Sequence, residues 1–469
     1  MVPNIRSVHF VGICGTAMAS AAVAMRERGF QVTGSDHNVY PPMSTFLEEN
    51  NVEVFKFYSE EHLSHRPDLV VIGNAISRGN PEAEATLEQK LRYCSLPELL
   101  KEFFIRGKRS LVVTGTHGKT TTTSLLTWVF EHNGYCPSFL IGGIPSNLGK
   151  GARFNDSDWF IIEGDEYDSA FFDKRSKFVH YLPEVVIINN LEFDHADIFP
   201  NLDAIQNMFR RLVHLVPRNG LILANGDEPN VEPVLGIKHC PIQRFGLGES
   251  NDVRAEIKGL EAGHSEFLLH DRVYSVPLTG ELNVRNALAV AACSLHCGLS
   301  YDQIQSAFSS FTGIRRRMEV RGTAGGVTVV DDFGHHPTAI RETLRAMRVR
   351  FPGRRVWAVF EPRSNTTRRN VFQTELAEAL ALADLVVVSE VARLELLTPA
   401  ERLDPVRLMS DLHTFGRPAW YLPNADSIVN HIAPDVAPGD VVCVFTNGGF
   451  GGIHDKLLQR LRSETTDSP

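Results

Sequence analysis

The chain has 469 residues, which at about 150 residues per domain suggests three domains. It is 43% hydrophobic and 22% charged, an ordinary globular balance that excludes disordered and collagenous classes. Forty-seven Lys and Arg against 56 Asp and Glu leave a net charge of −9, which argues against nucleic acid or an anionic membrane as the main partner.

No apolar run approaches the roughly 18 residues of a membrane span, and the start of the chain lacks a signal-type apolar stretch. A cytoplasmic protein without membrane insertion is therefore expected; its oligomeric state is not readable. The cysteines are odd in number and scattered without a C-x-x-C pair, so neither disulfides nor a zinc knuckle is expected. Cys293 and Cys297 lie one helical turn apart in an Ala-rich segment and read as core.

In chain order, β-branched apolar runs occur at Val8–Val11, Leu69–Ile72, Leu111–Val113, Trp159–Ile162, Val185–Ile188, Val327–Val330, Val356–Phe360, Leu385–Val388 and Val441–Phe445. Longer helical patterns separate them, so the fold class is α/β with mainly parallel sheets. Glycine-rich and polar groups follow the runs, where open α/β sheets bind ligands. Basic clusters at Phe103–Arg109 and Gly313–Arg317 divide the chain into residues 1–108, 109–318 and 319–469; linker residues alone would also explain both clusters. The outer two units read as Rossmann-like and the middle one as a P-loop ATPase type. The polar tail Ser463–Pro469 is expected to fray.

The segment Gly115, Thr116, His117, Gly118, Lys119, Thr120, Thr121 follows a strand and opens a helix. In that context glycines turn backbone N–H groups toward a phosphate, Lys119 reaches the β and γ oxygens, and the Thr120 hydroxyl can hold Mg²⁺. Val113 stands where the longer Walker pattern has its first glycine, leaving G-x-x-G-K-T. ATP is the implied co-substrate. Glu163 and His195 end or follow neighbouring strands and could complete a Mg²⁺ site, although imidazole is a less usual ligand for a hard cation.

Together these residues resemble the Mur ligase family, ATP-dependent amide-forming enzymes of bacterial cell-wall synthesis, and the resemblance covers essentially the whole chain. It implies that Glu163 and His195 bind Mg²⁺, that Asn283 and Asn286 bind adenine, that Asp332 binds ribose, and that Arg317 marks the entrance to the last domain. Leu282 stands where close relatives usually have histidine. No lysine lies between His195 and Arg210, which resembles the branch without a carbamylated lysine. Within that branch, strings such as Glu163–Asp168, Phe171–Phe178 and Glu361–Asn365 resemble the members that join UDP-N-acetylmuramate to the tripeptide L-Ala-γ-D-Glu-meso-diaminopimelate in peptide recycling. The muramate:L-alanine ligases are the alternative, and a P-loop kinase or hydrolase a more distant one.

Gly12 and Gly15 form a turn after the first run, and Asp36 follows the next segment; a dinucleotide-binding oxidoreductase would read similarly. The resemblance assigns this unit to the UDP moiety, with Asn74 as a plausible second contact. In the last unit, Arg363 offers a planar fork to a substrate carboxylate, with Ser364 and Asn365 adding hydrogen bonds; pairing of Arg363 with a neighbouring acid is the plain alternative. Arg368 and Arg369 read as a solvated helix face. His335 is a candidate to orient the incoming amine or contact phosphate, or simply to stabilise its turn.

Overall fold

The computed structural model describes residues 5–391 and 394–466. Three sheets follow one another along the chain. The first is fully parallel, with Ser7–Val11 at its centre between Gln31–Asp36 and Leu69–Ile72, and with Glu53–Lys56 and Tyr93–Ser95 at the edges. Strand order therefore reverses beside Ser7–Val11, and the turn at Gly12 sits at the switch point where such sheets open a crevice.

The central sheet has ten strands. Arg109–Thr114 lies between Trp159–Glu163 and Val185–Ile188, parallel to both, with Val113 opposite Glu163 and Thr114 opposite Ile188. This register brings Glu163, the phosphate loop and the segment after Ile188 to one edge. Antiparallel strands His264–Leu269 and Arg272–Val276 extend the far side. In the last sheet Val441–Phe445 runs parallel between Val327–Asp332 and Val356–Phe360, and only Glu319–Ala324 is antiparallel.

The parallel strands are buried on both faces, which explains their unbroken Val and Ile runs. Each such side chain contributes about 1.5–3 kcal/mol on burial. Trp357 is fully buried and donates its indole N–H to Asp440 at 3.1 Å, so the ring fills the core without an orphaned donor.

The basic cluster at Phe103–Arg109 is more than a linker. Phe104 and Ile105 are buried in a core shared by the first two units, and Arg109 pairs with Glu184 at 2.6 Å. Of the tail, Ser463 to Thr466 continue the helix Ile453–Thr466, and residues 467–469 lie outside the described residues. All seven cysteines are free, and Cys293 is buried as expected. No helix among the described residues is long and apolar enough to cross a membrane.

Candidate active site

The phosphate loop joins Arg109–Thr114 to the helix Lys119–His132. Gly118 has φ of +80°, and a Cβ there would stand 2.5 Å from Asn286 Oδ1, so both conformation and space require glycine. Asn190, which the sequence reading passed over, clamps the loop: its Oδ1 accepts the His117 N–H at 2.7 Å and its Nδ2 donates to the His117 carbonyl at 3.2 Å. Thr116 N–H also donates to the Asn190 carbonyl. The loop thus presents a fixed helix N-terminus, an anion site by geometry and dipole.

Lys119 is folded onto this loop. Its Nζ donates to the Gly115 carbonyl at 2.6 Å and to both oxygens of Glu166 at 2.9 and 3.1 Å. Glu166 also meets His195 Nε2 at 2.9 Å, so one buried carboxylate bridges two residues that the sequence reading assigned to catalysis. Burial alone would lower the Lys119 pKa, but Glu166, Asp165 and Glu163 outweigh it and the pKa is raised. Glu166 shows the converse: burial raises it, and Lys119 and His195 pull it below the usual carboxylate range. His195 adopts a left-handed φ of +54°, held by its own N–H to Asp194 Oδ1 at 2.7 Å.

Thr120 and Glu163 meet directly. The Thr120 hydroxyl donates to Glu163 Oε1 at 3.0 Å, Gly142 N–H donates to Oε2 at 2.7 Å, and Arg317 Nη2 donates to the Thr120 oxygen at 3.2 Å. Burial raises the Glu163 pKa against the pull of Lys119 and Arg317. A half-buried carboxylate whose charge burial disfavours, beside a hydroxyl, is a hard-oxygen donor pair suited to Mg²⁺. His195 lines the same cavity, but its Nε2 is engaged by Glu166.

This cavity measures 580 Å³ and reaches from the loop to the last sheet. Asn283, Asn286, Leu282, Asp332 and His335 line it. Asn286 Oδ1 accepts from the Thr122 hydroxyl at 3.1 Å, tying the helix Glu281–His296 to the phosphate-loop helix, and its Nδ2 donates to Asn283 Oδ1 of its own helix at 3.2 Å. Asp332 is buried and accepts the N–H groups of Met318 and Gly334 at 2.9 and 2.7 Å; burial raises its pKa. His335 is lowered by burial, and its Nδ1 lies 3.2 Å from the Phe333 carbonyl, which assigns the ring proton to Nδ1 and a lone pair to Nε2.

A second cleft of 1040 Å³ runs from the first sheet to the phosphate loop. Gly15 and Asn74 line it, whereas Gly12 and Asp36 are not part of its lining. Both Asp36 oxygens are occupied, by Cys14 N–H and Asn38 N–H at 2.9 Å each, so this residue shapes the turn. Thr120, Glu163 and Arg317 line both cavities.

Arg363, Ser364 and Asn365 lie outside both linings. Arg363 is 46% exposed, with Glu361 at 3.5 Å. Ser364 pairs with Thr367 at 2.8 Å, and Asn365 Nδ2 donates to Asp197 of the central unit at 2.8 Å. The expected solvated face at Arg368 and Arg369 is corrected: Arg368 is buried and donates to Asn365 Oδ1, and Arg369 pairs with Glu401. Turn formation at Ser364–Thr367 rolls these arginines inward.

Three family profiles match in succession: "Mur ligase family, catalytic domain" at residues 7–108, "Mur ligase middle domain" at 113–294 and "Mur ligase, glutamate ligase domain" at 316–448. The UDP-N-acetylmuramate–L-alanyl-γ-D-glutamyl-meso-2,6-diaminoheptandioate ligase of Haemophilus influenzae is 43% identical over 465 residues, covering 97% of this chain and 99% of its own. Its Escherichia coli counterpart is 44% identical over 458 residues, covering 97% and 98%. Among solved structures, a murein peptide ligase from Psychrobacter arcticus aligns with a TM-score of 0.72 at 37% identity, covering 98% and 99% of the two chains. The UDP-N-acetylmuramate-alanine ligase of Thermotoga maritima shares the fold, with a TM-score of 0.77 at 23% identity over 98% and 99%. With its three segments matched in order and relatives of this identity spanning nearly its full length, the chain belongs to the Mur ligase family.

Proposed function

We propose that this protein is the ATP-dependent ligase that joins UDP-N-acetylmuramate to L-Ala-γ-D-Glu-meso-diaminopimelate, in the cytoplasm, during recycling of cell-wall peptides. The observation that carries the reading is the shared wall of the two cavities at Thr120, Glu163 and Arg317. A carboxylate entering from the first sheet and a triphosphate on the loop would meet there. Residues 1–108, 109–318 and 319–469 would serve the UDP-sugar, ATP and the peptide respectively. The names of the relatives at 43% and 44% identity support the tripeptide acceptor over L-alanine, since a UDP-N-acetylmuramate–L-alanine ligase of Salinibacter ruber is 32% identical.

A carboxylate oxygen is a poor leaving group, so the lactyl carboxylate attacks the γ-phosphorus and ADP departs, leaving an acyl phosphate. The alanyl amine nitrogen then attacks the acyl carbon, phosphate leaves, and the amine loses a proton. Lys119, released from Glu166, and Arg317 neutralise charge on the transferred phosphoryl group, the task of preorganised donors in a water-poor site. The His335 Nε2 lone pair can accept the amine proton or orient the amine. Bound Mg²⁺, held by Thr120, Glu163 and His195, would add charge neutralisation at the phosphoryl oxygens.

An ADP-release assay with UDP-N-acetylmuramate and either L-Ala or the tripeptide tests the proposal. Preference for L-Ala would transfer the protein to the alanine ligases. Release that depends on both substrates in a Lys119→Ala variant would refute the site.

A further inference from the structure

A second group of metal-competent side chains lies where the central and last sheets meet. His117 Nε2 is 3.2 Å from Glu192 Oε2, and His336 Nδ1 is 3.4 Å from the same oxygen. Around a tetrahedral zinc ion, with bonds of about 2.0–2.2 Å, ligand atoms stand about 3.3–3.6 Å apart, so the 3.4 Å separation matches a tetrahedral edge and the 3.2 Å one is slightly shorter. All three ligand atoms lie within 4.8 Å of one another.

Hydrogen placement agrees with ligation. His336 Nε2 lies 3.2 Å from the Phe193 carbonyl, which places the ring proton on Nε2 and leaves the Nδ1 lone pair facing Glu192. That lone pair receives only a long 3.3 Å bond from the Thr338 N–H. Burial first, then His117, pushes the His336 pKa down to about 4, so the ring is neutral at neutral pH. The Thr338 hydroxyl donates to Glu192 Oε2 at 2.7 Å; with the Phe193 carbonyl it forms the outer contacts that orient metal ligands.

Among the described residues, the ion-pair partners of Glu192 are these two histidines, and Asp194 and Glu228 add negative charge nearby. Both histidines line the 580 Å³ cavity, which gives an ion and a fourth ligand a path in. The other comparable group, Glu98, Asp173 and His180, differs: Arg175 already grips both Asp173 oxygens at 2.8 Å.

We propose that His117, Glu192 and His336 form a site for a transition-metal dication of the Zn²⁺ class, separate from the hard oxygen pair of Thr120 and Glu163. Two imidazoles and one carboxylate suit such an ion better than Mg²⁺. When filled, the site fastens the phosphate loop to the first turn of the helix Pro337–Arg350.

The test is titration of Zn²⁺ into the full chain, dialysed against a chelator, in competition with a chromogenic chelator and with Mg²⁺ in excess. Co²⁺ serves as a second probe, because its visible absorption reports tetrahedral coordination. One ion per chain is expected. His336→Asn, which keeps an N-cap side chain, and Glu192→Gln, which keeps the shape, should each weaken binding at least about tenfold. His195→Ala should leave it unchanged. Zn²⁺ should raise the unfolding temperature of the parent protein and not that of His336→Asn. Failure of the parent to bind Zn²⁺, parental affinity retained in both His336→Asn and Glu192→Gln, or loss in His195→Ala alone would each overturn the proposal.

Discussion

Glu166→Gln isolates the bridge between Lys119 and His195. Glu166 is 3% exposed, and its oxygens lie 2.9 and 3.1 Å from Lys119 Nζ, so solvent screens the pair little. Breaking a buried pair from one side costs about 3–5 kcal/mol. Asp165 and Glu163 also act on Lys119, and the Gln oxygen still accepts one hydrogen bond, so the expected loss falls to about 2–3 kcal/mol. If Lys119 holds a phosphate as proposed, it must first leave Glu166, and part of that energy should return as tighter nucleotide binding. At about 1.4 kcal/mol per factor of ten, ADP affinity should rise severalfold to about tenfold. Calorimetric titration with ADP, with the urea midpoint of the unfolding step that ADP shifts, measures both quantities. A fall in ADP affinity as large as that of Lys119→Ala would refute the reasoning, because Glu166 would then be acting with bound nucleotide rather than occupying the lysine in its absence.

Gly118→Ala forces a left-handed alanine, at about 1–2 kcal/mol, into a site where its Cβ meets Asn286 Oδ1 at 2.5 Å. ADP affinity should fall at least about tenfold, and unchanged binding would contradict the loop geometry. Arg363→Ala removes a half-exposed side chain with one 3.5 Å ion pair, so stability should move by less than about 0.5 kcal/mol. Steady-state kinetics should show a raised KM for the tripeptide and an unchanged KM for UDP-N-acetylmuramate; equal rises would remove its assigned role. For Asp173, burial raises the pKa but hydrogen bonds from Arg175 and His180 hold it at about 2. The folded value lies below the unfolded value of about 3.9, so its stabilisation is complete above about pH 4 and is lost as pH falls toward 2. Asp173→Asn should flatten the unfolding temperature across that window, and parallel curves for parent and variant would exclude the linkage.

Each strand expected from the sequence is present because buried parallel strands need contiguous β-branched residues, as at Val185–Ile188 and Val441–Phe445. Gln31–Asp36 was not legible: Gly34 and polar residues interrupt the run, and Gly34 is there because a Cβ would stand 2.7 Å from the Phe10 carbonyl oxygen of the neighbouring strand. The strands Val253–Glu261, in its first half, and His264–Leu269 alternate buried residues with more accessible ones, a period-two signal available in the sequence but weaker than a continuous run. Glu163 ends the strand Trp159–Glu163, and Lys119 and Thr120 open the helix that follows Arg109–Thr114, positions that a strand–loop–helix pattern marks in the sequence. Glu166 and Asn190 could not be placed, since their positions depend on loop paths between strands. Their one visible signal was proximity to Glu163 and His195. Arg368 was misplaced for the same reason, its burial set by a turn and by no helical period.

The common wall at Thr120, Glu163 and Arg317 has a pharmacological consequence. If the nucleotide and the muramate carboxylate occupy the adjoining chambers as proposed, a compound carrying a diphosphate at one end and a muramate mimic at the other would gain the effective concentration of a short linker. Its affinity could exceed that of either half by about 10²–10⁴ without any new contact. The linker atoms would lie against Thr120 and Arg317, where a phosphonate could occupy the place of the transferred group.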